Sequence, residues 1–213
     1  PSVGEQFSGL KLDHLLFIGS NRVAKKVAAQ AAKNLVPTTL ELGGKSPTII
    51  GTNANMALAA ERILFSKTLN AGQICLSPDY IFVKKNEERN LISELQKAYS
   101  KFFPEPNSHN QTSMVNKHHL KRMNSYLLDA TKKGATVESL GNNDDLDRNM
   151  ISTKIVTKVN ESMDVMRNEI FGPILPIMNY EKISDVVDYI NKNDNPLGLY
   201  YFGRSQSEQN FVI

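Results

Sequence analysis

Cysteine occurs once in 213 residues, at Cys75, and tryptophan does not occur. A single thiol excludes an internal disulfide and fits a reducing compartment, so a cytoplasmic protein is expected. No run of about 18 apolar residues is present, so no membrane-spanning helix is expected. No charged stretch followed by an apolar one opens the chain, so no signal peptide is expected. Pro1 stands first without an initiator methionine, and the sequence reads as a partial chain. The four histidines carry little. His118 and His119 are adjacent in a helical stretch, point to different faces and make a poor metal pair. His14 starts a strand and His109 lies in a polar loop, so no metal site is expected. The net charge of +3 is spread out. Lys84-Lys85 and Lys132-Lys133 are pairs rather than runs, and nucleic acid is not an expected partner.

What is present is an ordinary globular composition, 40% hydrophobic and 22% charged, with strands and helices in alternation. His14 to Ile18 reads as a buried strand of a parallel sheet. Asn21 to Leu35 carries apolar residues at spacings of three and four. Thr38 to Leu42 is a second strand, stopped by Gly43-Gly44. These 43 residues spell a βαβ unit that cannot close a sheet alone. Strands are then expected at 46–51, 80–83, 135–140, 155–159, 174–178 and 199–202. Helices are expected at 56–69, 87–103, 114–133 and 183–190. The 104–111 loop is polar, and 141–145 reads as a solvated acidic loop. The class is α/β.

Four places could carry chemistry. Gly19-Ser20 sits at a strand-to-helix turn, where backbone N–H groups and the helix dipole suit a phosphate; by itself the pair reads rather as a plain turn. Glu41 ends a strand, where open α/β sheets place ligands, and a partly desolvated carboxylate there could act as a general base. Leu42-Gly43-Gly44 behind it offers bare backbone to a cofactor, or a joint between domains. Cys75, three residues after Gly72 at a helix-to-strand junction, is either a nucleophile or a small inert hydrophobe. Glu169-Ile170-Phe171-Gly172-Pro173 sets a carboxylate and a ring beside a turn. It could hold a ribose and wall a heterocycle; by composition it is as well a solvated Glu and a core Phe.

Taken in order, Phe17-Ile18-Gly19-Ser20, Glu41-Leu42-Gly43-Gly44-Lys45-Ser46-Pro47, Gly72-Gln73-Ile74-Cys75 and Glu169-Ile170-Phe171-Gly172-Pro173 resemble the aldehyde dehydrogenase superfamily over the whole chain. Ser46-Pro47 and Ser77-Pro78-Asp79-Tyr80 resemble its class 3 branch. Asn34-Leu35-Val36-Pro37 resembles the coniferyl aldehyde dehydrogenases. Ala24 and Ile18 depart from the glycine and threonine usual there.

The resemblance implies the terminal βαβ part of a Rossmann-like coenzyme domain at 1–42 and a catalytic domain at 43–213. It implies NAD- or NADP-dependent oxidation of a small aldehyde, aromatic such as coniferyl aldehyde or aliphatic, to the acid. Cys75 would be the nucleophile and Glu41 the base that hydrolyses the thioester. Gly19 and Ser20 would lie by the pyrophosphate, Leu42 and Gly43 by the nicotinamide, Glu169 and Phe171 by its ribose. The full-length protein would be a homodimer. A partial chain lacking the upstream half would be inactive by itself. The rival reading is a non-catalytic binding or scaffold module that keeps the fold.

Overall fold

A computed structural model describes residues 2–104, 111–142 and 144–213. The chain divides into two compact units, Pro1–Gly43 and Gly44–Ile213.

In the first unit a short helix, α1 (Ser2–Ser8), precedes strand β1 (Leu15–Gly19), helix α2 (Asn21–Ala32) and strand β2 (Thr38–Leu42). The strands pair in parallel, from Leu15 opposite Thr38 to Gly19 opposite Leu42. Helix α2 is the crossover, and its apolar stripe places Ala31 and Val27 against Leu15 and Val36. It ends in a Schellman turn: the N–H of Val36 donates to the Ala31 carbonyl and that of Leu35 to Ala32. Leu35 takes the left-handed conformation there, φ 58°, a place usually held by glycine. The expected buried strand is only half right. Leu16 and Ile18 of β1 are 59% and 72% exposed. Within this chain one helix covers one face of the two-stranded sheet, and Leu16 and Ile18 lie on the other.

The second unit is built on a six-stranded sheet in the order β5-β6-β7-β4-β3-β8. Its strands are β3 (Pro47–Ile50), β4 (Tyr80–Lys84), β5 (Thr136–Ser139), β6 (Lys154–Thr157), β7 (Ile174–Tyr180) and β8 (Tyr200–Phe202). Only β5 runs antiparallel to its neighbour; β6, β7, β4, β3 and β8 are all parallel. The helices are α3 (Met56–Thr68), α4 (Glu88–Phe102), α5 (Lys117–Lys132), α6 (Asp164–Arg167), α7 (Ile183–Asn191) and α8 (Gln206–Val212). The one-turn α6 carried no sequence signal.

Both sheet faces are covered, which explains the continuous apolar runs. Tyr80 and Phe82 of β4 join one cluster with Met123, Ile170 and Val186. Ile81 and Val83, facing the other way, join Ile63, Leu64, Leu91 and Leu95. Each such side chain contributes about 1.5–3 kcal/mol of burial. Helix starts follow local chemistry. The Asn55 carboxamide accepts from the Leu58 N–H (3.1 Å) and that of Asn116 from the His119 N–H (3.0 Å). Helix α5 therefore begins at Lys117 rather than 114, and it ends at Gly134, φ 95°.

Two loop expectations change. The 104–111 loop, with His109, lies mostly outside the described residues. The 141–145 loop is not simply solvated. The Asp144 carboxylate accepts from the Ser152 N–H and hydroxyl (both 2.7 Å) and from the Lys154 ammonium (2.6 Å). These contacts hold its pKa below the ordinary carboxylate value despite partial burial. They tie the loop to β6.

Candidate active site

Within the first unit the geometry gathers four of the singled-out residues. Ile18 pairs with Glu41 and Gly19 with Leu42, so Gly19, Glu41 and Leu42 lie at the C-terminal ends of the two parallel strands, with Ser20 next to them. Ser20 follows directly as the N-cap of α2 in extended conformation, and its hydroxyl makes no capping hydrogen bond. Within the first turn, the N–H groups of Val23 and Ala24 turn back to the Ser20 carbonyl. Ala24 is buried. Glu41 is exposed, and Gly43 is the last residue of the unit.

Within the second unit Cys75 is exposed at the crown of a turn closed by the Ser77 N–H on the Ile74 carbonyl (2.9 Å). The chain reaches it through three successive left-handed residues, Asn70, Ala71 and Gly72, with φ of 51°, 54° and 71°. Non-glycine residues enter that region at a cost, so surrounding contacts must hold them. Gln73 supplies several. Its amide donates to the Asn70 and Ser113 carbonyls (3.0 and 3.1 Å) and accepts from the Val115 N–H (2.9 Å). The Tyr200 hydroxyl donates to the carbonyl of Leu76 (2.5 Å). Burial first, and then the neighbouring Cys75, push the Tyr200 pKa up.

The cysteine segment and the 169–173 turn meet directly. A Cβ on Gly72 would fall 2.5 Å from the Gly172 carbonyl oxygen, so no other residue fits there. Phe171, the residue before Gly172, is itself left-handed, φ 47°. Asp79 completes the join. One of its oxygens accepts from the Ile170 N–H (2.9 Å) and the other from Lys45. Its own N–H donates to the Ser46 carbonyl (2.8 Å). Lys45 also donates to the carbonyls of Val165 (2.9 Å) and Asn168 (3.1 Å). Arg122 donates to the Glu169 carbonyl (3.1 Å). The Glu169 carboxyl is half-buried, and its pKa is raised by burial first and then by Asp79.

Lys45, Gln73 and Asp79 were read from sequence only as motif members without a role, and Lys67, Arg122 and Tyr200 were not singled out. One signal was available. Lys67 continues the Ala60, Ile63, Leu64 spacing of α3, so it falls on the apolar stripe. His119 lies against Arg122 and His118, and its pKa is lowered by burial first, then by Arg122 and His118. Among the described residues no three of His, Cys, Asp or Glu converge as a metal site. No described helix is long and apolar enough to cross a membrane.

Comparison with known proteins shows the family. The aldehyde dehydrogenase family matches residues 2–213. A probable coniferyl aldehyde dehydrogenase of Caulobacter vibrioides is 44% identical over 100% of this chain and 45% of its own length. The coniferyl aldehyde dehydrogenase of Pseudomonas sp. strain HR199 is 39% identical over 99% and 45%. Among solved structures, substrate-bound AldH of Staphylococcus aureus superposes with a TM-score of 0.91 at 36% identity, covering 98% of this chain and 45% of that one. Betaine aldehyde dehydrogenase of the same species, in complex with NAD+, gives 0.87 at 25% identity, covering 99% and 43%. The chain thus spans a little under half the length of the relatives it matches. With four ordered motifs, an α/β fold and a family match over residues 2–213, the chain belongs to the aldehyde dehydrogenase family.

Proposed function

We propose that this chain carries the catalytic part of an NAD(P)-dependent aldehyde dehydrogenase, with residues 1–42 as the end of its coenzyme domain and 43–213 as its catalytic domain. The observation that carries the reading is the exposed Cys75, held on a turn by strained backbone and fastened to the 169–173 turn. Strain of this kind persists only where the surroundings enforce it, and it concentrates at functional sites.

The residues of the first unit fit a dinucleotide. The uncapped start of α2, directly after β1, offers backbone N–H groups and a dipole end to a pyrophosphate. Gly19 and Ser20 would hold that group, Leu42 and Gly43 would line the nicotinamide, and Glu169 and Phe171 would take its ribose. The coenzyme, when bound, supplies the hydride acceptor. This chain's part is nucleophilic. The Cys75 thiolate would add to the aldehyde carbonyl and give a thiohemiacetal; loss of its hydride to the acceptor and of its hydroxyl proton to solvent would leave a thioester. Glu41 then takes a proton from water, whose oxygen attacks the thioester carbonyl; the acid leaves and the thiol is restored. Splitting the reaction at a covalent intermediate gives the base a step of its own. Relatives named for coniferyl aldehyde support an aromatic aldehyde as substrate, with an aliphatic one as the alternative. The full-length protein is proposed to be a cytoplasmic homodimer, and the present chain alone to be inactive.

The test is aldehyde-dependent NADH or NADPH formation by a full-length product containing this segment, with selective alkylation of Cys75 as a second measurement. Turnover, and protection of Cys75 by coenzyme, are expected. A folded full-length protein with neither would instead be a non-catalytic module.

A further inference from the structure

The proposed mechanism leaves one charged group without a task. Lys67 is fully buried, 0% exposed, on the core-facing stripe of α3. A lysine there is costly unless something nearby needs its charge. Its ammonium donates to the Pro78 carbonyl at 2.9 Å, immediately before Asp79 and three residues after Cys75. Two cations and two carboxyls meet at this point. Asp79 and Glu169 favour the charged form of Lys67, and Lys45 opposes it. Asp79 in turn holds Lys45 and the Ile170 N–H. Asp79 therefore joins three segments: the start of β3, the cysteine turn and the turn before β7.

We infer that Lys67 is a positioning residue for Cys75: from inside the core it grips the Pro78 carbonyl and balances Asp79, and so sets where the cysteine turn stands against the 169–173 turn. The role of Cys75 as nucleophile rests on the proposed function; the positioning itself does not. An apolar residue would pack α3 at lower cost, because replacing buried ions by apolar groups is often neutral or stabilising. Keeping the ammonium makes sense if it fixes one arrangement of the turn. Burial lowers the Lys67 pKa to about 8, so the ammonium is present at neutral pH and is lost in mild alkali.

Cys75 is the sole cysteine, so alkylation of the whole chain by iodoacetamide reports on it alone. In Lys67→Met the rate at pH 7 is expected to move toward that of an unstructured cysteine peptide by ~2-fold or more, the lower end of the coupling expected within one hydrogen-bond network. Adding Asp79→Asn, which removes the carboxylate left unbalanced, should bring the rate back part of the way. A folded Lys67→Met chain with the wild-type rate overturns the inference. If that variant does not fold, amide exchange in the wild-type chain decides. After correction for intrinsic rates, protection of the Asp79 and Ile170 N–H groups should fall as pH rises through 8, although global stability rises over the same range. Local protection that rises with global stability, or stays flat, overturns the inference. Neither readout uses turnover, so a failure of the dehydrogenase reading leaves this test intact.

Discussion

The two units place their notable residues at opposite ends of their strands. In Pro1–Gly43, Gly19, Ser20, Glu41 and Leu42 stand at the C-terminal ends of β1 and β2. In Gly44–Ile213, the segments bearing Lys45, Cys75 and Glu169 stand just before β3, β4 and β7, at the N-terminal ends of parallel strands. The difference lies in what builds each site. At a C-terminal strand end the following helix already presents free N–H groups and a dipole. At an N-terminal end nothing comes ready-made. There the chain uses three left-handed residues, a glycine pressed against a carbonyl, and a buried lysine. The first site is generic to the βαβ fold; the second is held by contacts distant in sequence.

Substitutions can break this comparison. The largest effect is expected on activity of the full-length enzyme. Cys75→Ser should lose ~10⁴-fold or more, with no first-turnover burst of reduced coenzyme. Glu41→Gln should lose ~10²–10⁴-fold in steady state yet keep the burst, because acylation needs only the thiol. A burst abolished equally in both would erase the division of labour.

Next comes pH. The folded-state pKa of Lys67, about 8 against an ordinary 10.5, means the unfolded chain binds the extra proton between those values. Stability should therefore rise with pH across that window, by on the order of 3 kcal/mol relative to Lys67→Met. Denaturant midpoints of the two chains at pH 7 and above 10 measure it. Parallel curves would show that the buried ammonium is not strained.

Third, Gly72→Ala and Gly19→Ala test the two units directly. At Gly72 both the φ of 71° and the 2.5 Å approach to the Gly172 carbonyl forbid a Cβ, with an expected loss of about 2–3 kcal/mol. At Gly19 the nearest atom is the ring edge of Phe17, which can swing aside, and the loss should be about 1 kcal/mol or less. Urea titrations of both variants would reverse the argument if Gly19→Ala proved the more harmful. Smallest is Leu35→Gly. Relief of the left-handed leucine at the end of α2 should gain roughly 0.5–1 kcal/mol, read as a higher melting temperature of the first unit.

Much of the fold was legible because its signals are local. Tyr80 to Val83 and Ile174 to Met178 are apolar on consecutive residues, which marks strands covered on both faces. Asn55 announces α3 through its side chain. The exposure of Leu16 and Ile18 was not legible, because it depends on what covers the second face of β1. Leu35 at a Schellman turn was also hidden, since leucine carries no turn signal. The four motifs located the candidate site and contain Lys45, but they do not show its junction with Asp79 or the buried Lys67 beside it. Those residues are 34 and 12 positions apart from Asp79 in sequence, and only packing brings them together.

By itself the sequence determined the α/β class, the family, and the residues offered for chemistry, because motif spacing and hydrophobic period are one-dimensional. Tertiary structure alone decided that Gly72 abuts Gly172, that Asp79 joins Lys45 to the Ile170 N–H, and that Lys67 is enclosed in the core with its ammonium on the Pro78 carbonyl. A charge shows its purpose only when its partners and its distance from water are known, and no spacing along the chain records either.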